Sequence, residues 1–341
     1  MDFDLDEASA AIADLTARVL GDRATHERLR ELERAGVGLD RDTWAVLAEV
    51  GVAGAPVPEH LGGAGLGFLA VAAACEQVGR FAAPVPVLTT LAGFAVPLAR
   101  HGTPDQQATW LPPVAAGSLI GTFALTENLA DPRRPVTVAA PVGDGWRLEG
   151  TKTLVPDGLD ADVMLVSAAT DDGPGLFLVP VDAPGVGRER VDVTTGRPQA
   201  RVTLDGVRVG PDARLGGDDA LDDLVDHLQV AICVTMAGHC HSAIRLAADY
   251  TSQRHQFDRP IATFQAVTQR AGDSYIDTEA VRLTAWQAAW RLDAGLPADD
   301  EIAIATWWAA EGGNRVVHAA THVHGGVGVD RDYPLHRHFL A

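Results

Sequence analysis

Arg254-His255-Gln256-Phe257-Asp258-Arg259-Pro260-Ile261-Ala262-Thr263-Phe264-Gln265 joins two long runs of helical period. Before it, apolar residues recur at helical spacing from Leu221 to Arg254, and after it from Gln265 to Ala294. Asp258-Arg259-Pro260 marks the turn between them. A third run, Ala298 to Gly325, follows a second turn at Gly295-Leu296-Pro297. Three long periodic segments with breakers between them predict a helical bundle over 218–341.

Upstream the texture changes. Between Ser118 and Gly217, short apolar runs (Val136 to Ala140, Val163 to Val166, Leu176 to Pro180, Ala200 to Leu204) alternate with Gly, Pro and Asp clusters, which predicts an antiparallel β domain over 118–217. From Asp4 to Gly117 the helical period returns in short blocks, predicting an N-terminal helical domain over 1–117. Within it, Thr103 is placed to cap a helix whose first position is Pro104. The expected fold is therefore α+β and multidomain: helical domain, antiparallel β domain, helical bundle.

The chain has 341 residues, 47% of them hydrophobic, enough for a sizeable core. A formal net charge of −19 opposes attraction to nucleic acid or to an anionic membrane surface, while leaving room for a local basic cleft that binds a smaller anion. Cys75, Cys233 and Cys240 form neither a disulfide framework nor a CxxC motif and read as buried free thiols. The acidic opening MDFDLDEASAAIADL is no signal peptide. The uncharged stretch Phe81 to Ala99 is interrupted by Pro84, Pro86, Gly93 and Pro97, so it is expected to be a buried helix with irregular ends. These features predict a cytoplasmic protein with no membrane association.

Several segments, in order, carry a family resemblance. Val57-Pro58-Glu59-His60-Leu61-Gly62-Gly63-Ala64-Gly65-Leu66-Gly67 is followed by Gly117 to Gly121, Leu125-Thr126-Glu127 and Leu148-Glu149-Gly150-Thr151-Lys152-Thr153. The stretch Arg254 to Gln265 comes next, and then Ala320-Thr321-His322-Val323-His324-Gly325-Gly326-Val327-Gly328 with Asp332-Tyr333-Pro334-Leu335-His336-Arg337. Together they resemble the acyl-CoA dehydrogenase family, matching its "P-E-x-x-G-G-x-G", "N-G-x-K", "R-x-x-F-G-x-P-I-x-x-F-Q" and "Q-I-H-G-G-x-G … E-Y-P-L-x-R" patterns. The Gly62 to Gly67 loop lacks the GxGxxG spacing and any βαβ context, and reads as a tight turn between helices.

The resemblance implies FAD as cofactor, an acyl-CoA as substrate and a separate electron acceptor. It implies that Arg254, Phe257, Phe264, Gln265, His322, Gly325 and Gly326 contribute to FAD held on a neighbouring subunit. A guanidinium fork at Arg254 suits a pyrophosphate; the bland alternative is an arginine capping a helix C-terminus. Asp258 stands where the family has glycine, an unfavourable charge near a pyrophosphate unless it turns away or pairs with Arg259. His318, His322, His324, His336 and His338 cluster near the end, but neither cysteine nor an HExxH glutamate supports a metal site.

Other segments depart from the family. Its chemistry needs a carboxylate that removes the substrate α-proton while the β-hydride passes to the flavin. One branch carries it in a "Y-E-G-T" motif downstream of Arg337, which the sequence ending at Ala341 does not contain. Another carries it on the helix before the arginine motif, where the register falls near Leu228, and Asp226 and His227 point elsewhere. No catalytic residue is assigned. Asn128-Leu129-Ala130-Asp131-Pro132-Arg133-Arg134 replaces the "P-x-A-G-S-D" loop, and Leu154-Val155-Pro156 replaces the flavin-facing "W-I-[ST]" strand. One half-site looks eroded and the other kept, a pattern similar to the paired subunits of actinobacterial steroid catabolism, in which two different chains form an α2β2 tetramer. The resemblance thus implies a second acyl-CoA dehydrogenase-like chain that supplies the base, a steroid side-chain CoA ester as one candidate substrate, and a lone chain that is inactive. The open alternatives are a self-sufficient homotetramer using Asp226 or Glu279, a structural or regulatory subunit without flavin contacts, and a flavin oxidase or monooxygenase on the same fold.

Overall fold

In a computed structural model, residues 4–128 and 130–341 are described. Met1 to Phe3 of the acidic opening and Leu129 of the loop after Glu127 lie outside the described residues. Helices occupy the chain as far as Ala115: α1 Glu7–Arg23, α2 His26–Ala35, α3 Arg41–Glu49, α4 Phe68–Phe81, α5 Val96–His101 and α6 Pro104–Ala115. Their starts are set by local chemistry. Asp6, Thr25, Asp40 and Thr103 each accept the backbone N–H three residues on, and at Thr103 the Gln106 side chain returns the bond to complete a capping box.

The stretch Phe81 to Ala99 is buried, as its composition predicts, but Val87–Ala95 winds as a π-helix before passing into α5. Pro97 has no N–H to return to the preceding turn, and the widened ladder instead ends with Val96 N–H donating to the Leu91 carbonyl.

From Gly121 the chain forms strands: β1 Gly121–Ala124, β2 Val138–Val142, β3 Gly145–Val155, β4 Val163–Thr170, β5 Gly173–Pro180, β6 Val186–Val191, β7 Gln199–Val209 and β8 Arg214–Leu215. The sheet runs β6-β7-β3-β2-β4-β5-β8 and is mainly antiparallel. β1 and β2 are the exceptions: they meet the same strand, β4, in parallel at successive positions along it. Leu148, Met164, Phe177, Val202 and Val207 belong to its buried core. Lys152, at a core position of β3, is fully buried and donates to Glu127 Oε1 at 2.8 Å and Ser167 Oγ at 2.9 Å. Burial pushes the Glu127 carboxyl up, but Lys152, Thr137 and the Val136 N–H outweigh it, and its pKa settles below the ordinary value.

Helices return as α7 Ala220–Gln253, α8 Gln265–Asp293, α9 Asp299–Trp307, α10 Gly313–His324 and α11 Leu335–Leu340. The third periodic run is not one helix, since the π-helical turn Trp308–Gly312 separates α9 from α10. α7 is long and apolar enough to cross a membrane by length and composition, but half of its most apolar window is buried within the protein. By compactness the chain forms two units. One comprises residues 37–71 and 84–228, and the other the residues up to Gly36, 72–83 and 229–341. In the second, α4 and α7 cross at backbone contact: a Cβ at Gly79 would lie 2.0 Å from the Thr235 carbonyl oxygen, and one at Gly238 2.1 Å from that of Glu76.

Candidate functional site

The stretch from Arg254 to Gln265 folds as a minimal hairpin between α7 and α8, with strands β9 His255–Gln256 and β10 Arg259–Pro260 pairing antiparallel. Its two central residues, Phe257 and Asp258, have φ of 52° and 62°. That is the twist a two-residue hairpin needs, and it explains why the related pattern carries glycine at the second position. Asp258 makes no ion pair with Arg259, whose guanidinium instead lies 4.4 Å from the centre of the Phe264 ring. The Phe257 ring meets Phe264 edge-on at 6.1 Å and is otherwise 87% exposed.

Arg254 continues α7 through its N–H to the Tyr250 carbonyl, and its own carbonyl accepts from Ile261 at 2.8 Å. Its guanidinium is exposed and has no hydrogen bond or ion pair among the described residues, so it does not cap the helix. Gln265 opens α8, whose N-terminus has no side-chain cap. The hairpin therefore runs from an arginine whose guanidinium is unpaired among the described residues to the start of a 29-residue helix with no side-chain cap.

The end of α10 comes to the same place. Tyr250, one turn before Arg254, stacks on His324 with ring centres 4.5 Å apart, and His324 precedes Gly325. Gly325 terminates α10 at φ 61°, donating its N–H to the His322 carbonyl. A Cβ at Gly326 would meet nothing within 4 Å among the described residues, none of which requires a glycine there. The His322 side chain is exposed.

The other histidines disperse. His324 Nδ1 bonds the Ala320 carbonyl and Nε2 meets Tyr333 Oη at 3.1 Å. His336 Nδ1 bonds the Tyr333 carbonyl, His338 pairs with His239, and the His318 ring packs on Phe339. Among the described residues no three His, Cys, Asp or Glu side chains form a metal-ligating group.

In the other unit, the turn of α7 around Leu228 carries no free carboxylate. Asp226 accepts from Arg133 Nη2 at 2.7 Å. His227 is buried, bonds the Asp223 carbonyl through Nδ1, and sets its ring edge-on to Phe68 at 4.7 Å, while its Nε2 has no partner. Burial, only partly offset by Asp223, holds this imidazole below its ordinary pKa and therefore neutral. Leu228 is buried in the same packing as Gly93 and Phe123, whose ring leaves no room for a Cβ at Gly93. Sequence reading missed the role of Arg133, which also binds Asp222. Its partners lie 89 and 93 positions away, beyond any local signal.

The loop Gly62 to Gly67 is a tight turn as read. The N–H groups of Ala64, Gly65 and Leu66 donate to the carbonyls of Gly54, Val57 and Ala55, leaving none of these three for a phosphate. A Cβ at Gly63 would lie 2.1 Å from the Val57 carbonyl oxygen, so close backbone packing requires that glycine.

Three family profiles cover nearly the whole chain. "Acyl-CoA dehydrogenase, N-terminal domain" matches residues 6–118, the middle domain 122–207 and the C-terminal domain 217–341. Among curated proteins, the chain is similar to acyl-CoA dehydrogenase FadE27 of Mycobacterium tuberculosis, 39% identical over 100% of this chain and 93% of that one. Among solved structures, it is similar to the ChsE4-ChsE5 complex of Mycobacterium tuberculosis, at 39% identity and a TM-score of 0.95 over 100% of this chain and 92% of that one. It is also similar to a variant of the steroid acyl-CoA dehydrogenase Tcur3481-Tcur3483, at 43% identity and a TM-score of 0.93 over 98% and 91%. With these matches spanning all three segments in order, the chain belongs to the acyl-CoA dehydrogenase family.

Proposed function

We propose that this chain is one of two different subunits of an FAD-dependent acyl-CoA dehydrogenase, and that it lends a half-site to flavin held mainly by its partner. The similarity to the ChsE4-ChsE5 complex and to a steroid acyl-CoA dehydrogenase supports a steroid side-chain CoA ester as substrate. A soluble cytoplasmic enzyme that passes electrons to a separate acceptor fits this reading.

The observation that carries the proposal is that the α7–α8 hairpin begins at an unpaired arginine and ends at an uncapped helix start. Arg254, with no counter-ion, and the uncapped start of α8 at Gln265 would hold the FAD pyrophosphate. Phe257, with Phe264 braced behind it by Arg259, would present an apolar face to the flavin. Gly325 and Gly326 leave open space for the adenosine part, with His322 as an exposed donor. Bound there, FAD supplies the hydride acceptor, and the partner supplies the base that removes the α-proton. Of the candidate bases in this chain, Asp226 is bound by Arg133 and position 228 is a buried leucine, while Glu279 lies half-buried on α8.

The test is flavin absorbance and native mass for the chain alone and co-expressed with an adjacently encoded acyl-CoA dehydrogenase-like chain. The expected result is a yellow α2β2 assembly with about half as many flavins as chains, and a colourless lone chain. Arg254→Ala in the assembly is expected to lower flavin affinity about tenfold or more, the scale of a lost charge-assisted hydrogen bond. A yellow homotetramer with one flavin per chain that turns over an acyl-CoA would overturn the proposal.

A further inference from the structure

With 46 acidic residues against 27 basic ones, arginines that have no carboxylate partner and share one cavity are candidates to hold an outside anion. Two such arginines line one cavity of about 330 Å³ in the unit that contains α8 to α11. Arg80, in the last turn of α4, donates Nη1 to Gln77 Oε1 at 3.2 Å and Nη2 to His241 Nε2 at 3.3 Å, both neutral acceptors. Arg245, on α7, is exposed and has no hydrogen bond or ion pair among the described residues. A third arginine on the wall, Arg337, is already committed to Glu33 and to His26 Nδ1. Asp249 is the carboxylate among the lining residues, and no ion pair joins it to either free arginine.

The imidazole of His241 reports the local potential. Burial lowers its pKa first, and then Arg80, Arg245 and Arg282 lower it further, with no carboxylate acting the other way. Because Nε2 accepts from Arg80, the ring proton sits on Nδ1 and adds a donor to the arginine pair.

We propose that this cavity binds a small phosphate-bearing anion, held by Arg80 and Arg245. Planar guanidinium forks match the spacing of paired phosphate oxygens, and the volume falls at the small end of ligand sites. None of Arg254, Phe257, Phe264, Gln265, His322, Gly325 or Gly326 lines it, so the site stands apart from the flavin half-site and does not depend on that reading. The phosphate belongs either to a free inorganic ion or to a nucleotide.

Calorimetric titration of the flavin-loaded assembly at low ionic strength, with inorganic phosphate, pyrophosphate and AMP as probes and chloride as control, tests this. One saturable site per copy of this chain is expected, weakened about tenfold or more by Arg245→Ala and by Arg80→Gln. Tighter binding of AMP than of phosphate would assign the anion to a nucleotide, and equal binding to the free ion. Arg245 is exposed and unpartnered, so Arg245→Ala is expected to keep the fold and the flavin-to-protein ratio. Conversely, Arg254→Ala lowers that ratio but leaves phosphate binding in place, so the two proposals fail separately. Absence of saturable binding for every probe, or binding that both cavity variants retain, overturns the site.

Discussion

At the scale of single residues, the hairpin and the buried ion pair show two ways a side chain departs from what its position favours. Asp258 occupies a left-handed conformation, φ 62°, that a residue with a Cβ adopts at a cost of about 1 kcal/mol. It also adds a carboxylate to the hairpin that is proposed to face the FAD pyrophosphate. Asp258→Gly is therefore expected to raise the thermal midpoint by an amount equivalent to about 1 kcal/mol and to tighten flavin binding in the assembled enzyme. Calorimetry and flavin titration check the two effects separately. Lys152 is fully buried, and its ammonium is matched by Glu127, which also accepts from Thr137 and Val136. Lys152→Met strands that carboxylate, so a loss of about 3–5 kcal/mol is expected in denaturant unfolding. Adding Glu127→Gln should recover part of it, because the pair as a whole is worth far less than the penalty for breaking it.

At the scale of elements, the crossing of α4 and α7 depends on the absence of side chains. Gly79 and Gly238 each bring one helix against the carbonyls of the other, at distances no Cβ tolerates. Because backbone rather than a flexible side chain is in the way, Gly238→Ala must push the helices apart, at a cost of roughly 1–3 kcal/mol. The same movement shifts Arg80, whose N–H would lie 2.7 Å from that Cβ. Lower stability in urea, accompanied by weaker phosphate binding in the cavity, is the expected pair of results. The π-helical turn Val87–Ala95 belongs to the same scale. Its apolar residues predicted burial, while the wider winding arises where Pro97 removes a donor.

At the scale of the whole molecule, the chain is strongly acidic, with a sequence pI near 4.9, and its folded state depends on carboxylates staying ionised. Asp223 is the clearest case. Burial raises its pKa, but hydrogen bonds from His101 and Arg100 and the charge of Arg100 outweigh this, leaving it well below the ordinary carboxylate range. A folded pKa below the unfolded value of about 3.9 stabilises the protein above that pH. The contribution is lost as pH falls through the acid range towards the folded value. Unfolding followed by circular dichroism from pH 6 downward should therefore show a steep acid limb that Asp223→Asn flattens. An unchanged limb would place the acid-labile group elsewhere. Several large apolar side chains stand exposed: Phe257, Ile276, Tyr275 and Trp307 are each more than half exposed, all in the unit that contains the hairpin. That exposure fits a subunit whose surface is completed by another chain.

Local chemistry wrote much of this into the sequence. Threonine and proline at 103 and 104 fix a helix start, apolar period separates helix from strand, and breakers near 258 mark the break between two long helices, because each depends on neighbours a few residues apart; that the break is a paired hairpin turning at 257–258 came only from the structure. The family patterns also singled out Arg254, Gln265 and Gly325 as candidate flavin contacts. Contacts between distant positions decided the rest. The stacking of Tyr250 on His324 brings the ends of α7 and α10 together across 74 positions. Arg133 reaches Asp226 across 93, and the cavity is assembled from α2, α4, α7 and α11. Such pairings carry no periodic or local signature, since the chain pays the entropy of closing each loop once, in folding, and only the packed structure determines which side chains are left without partners.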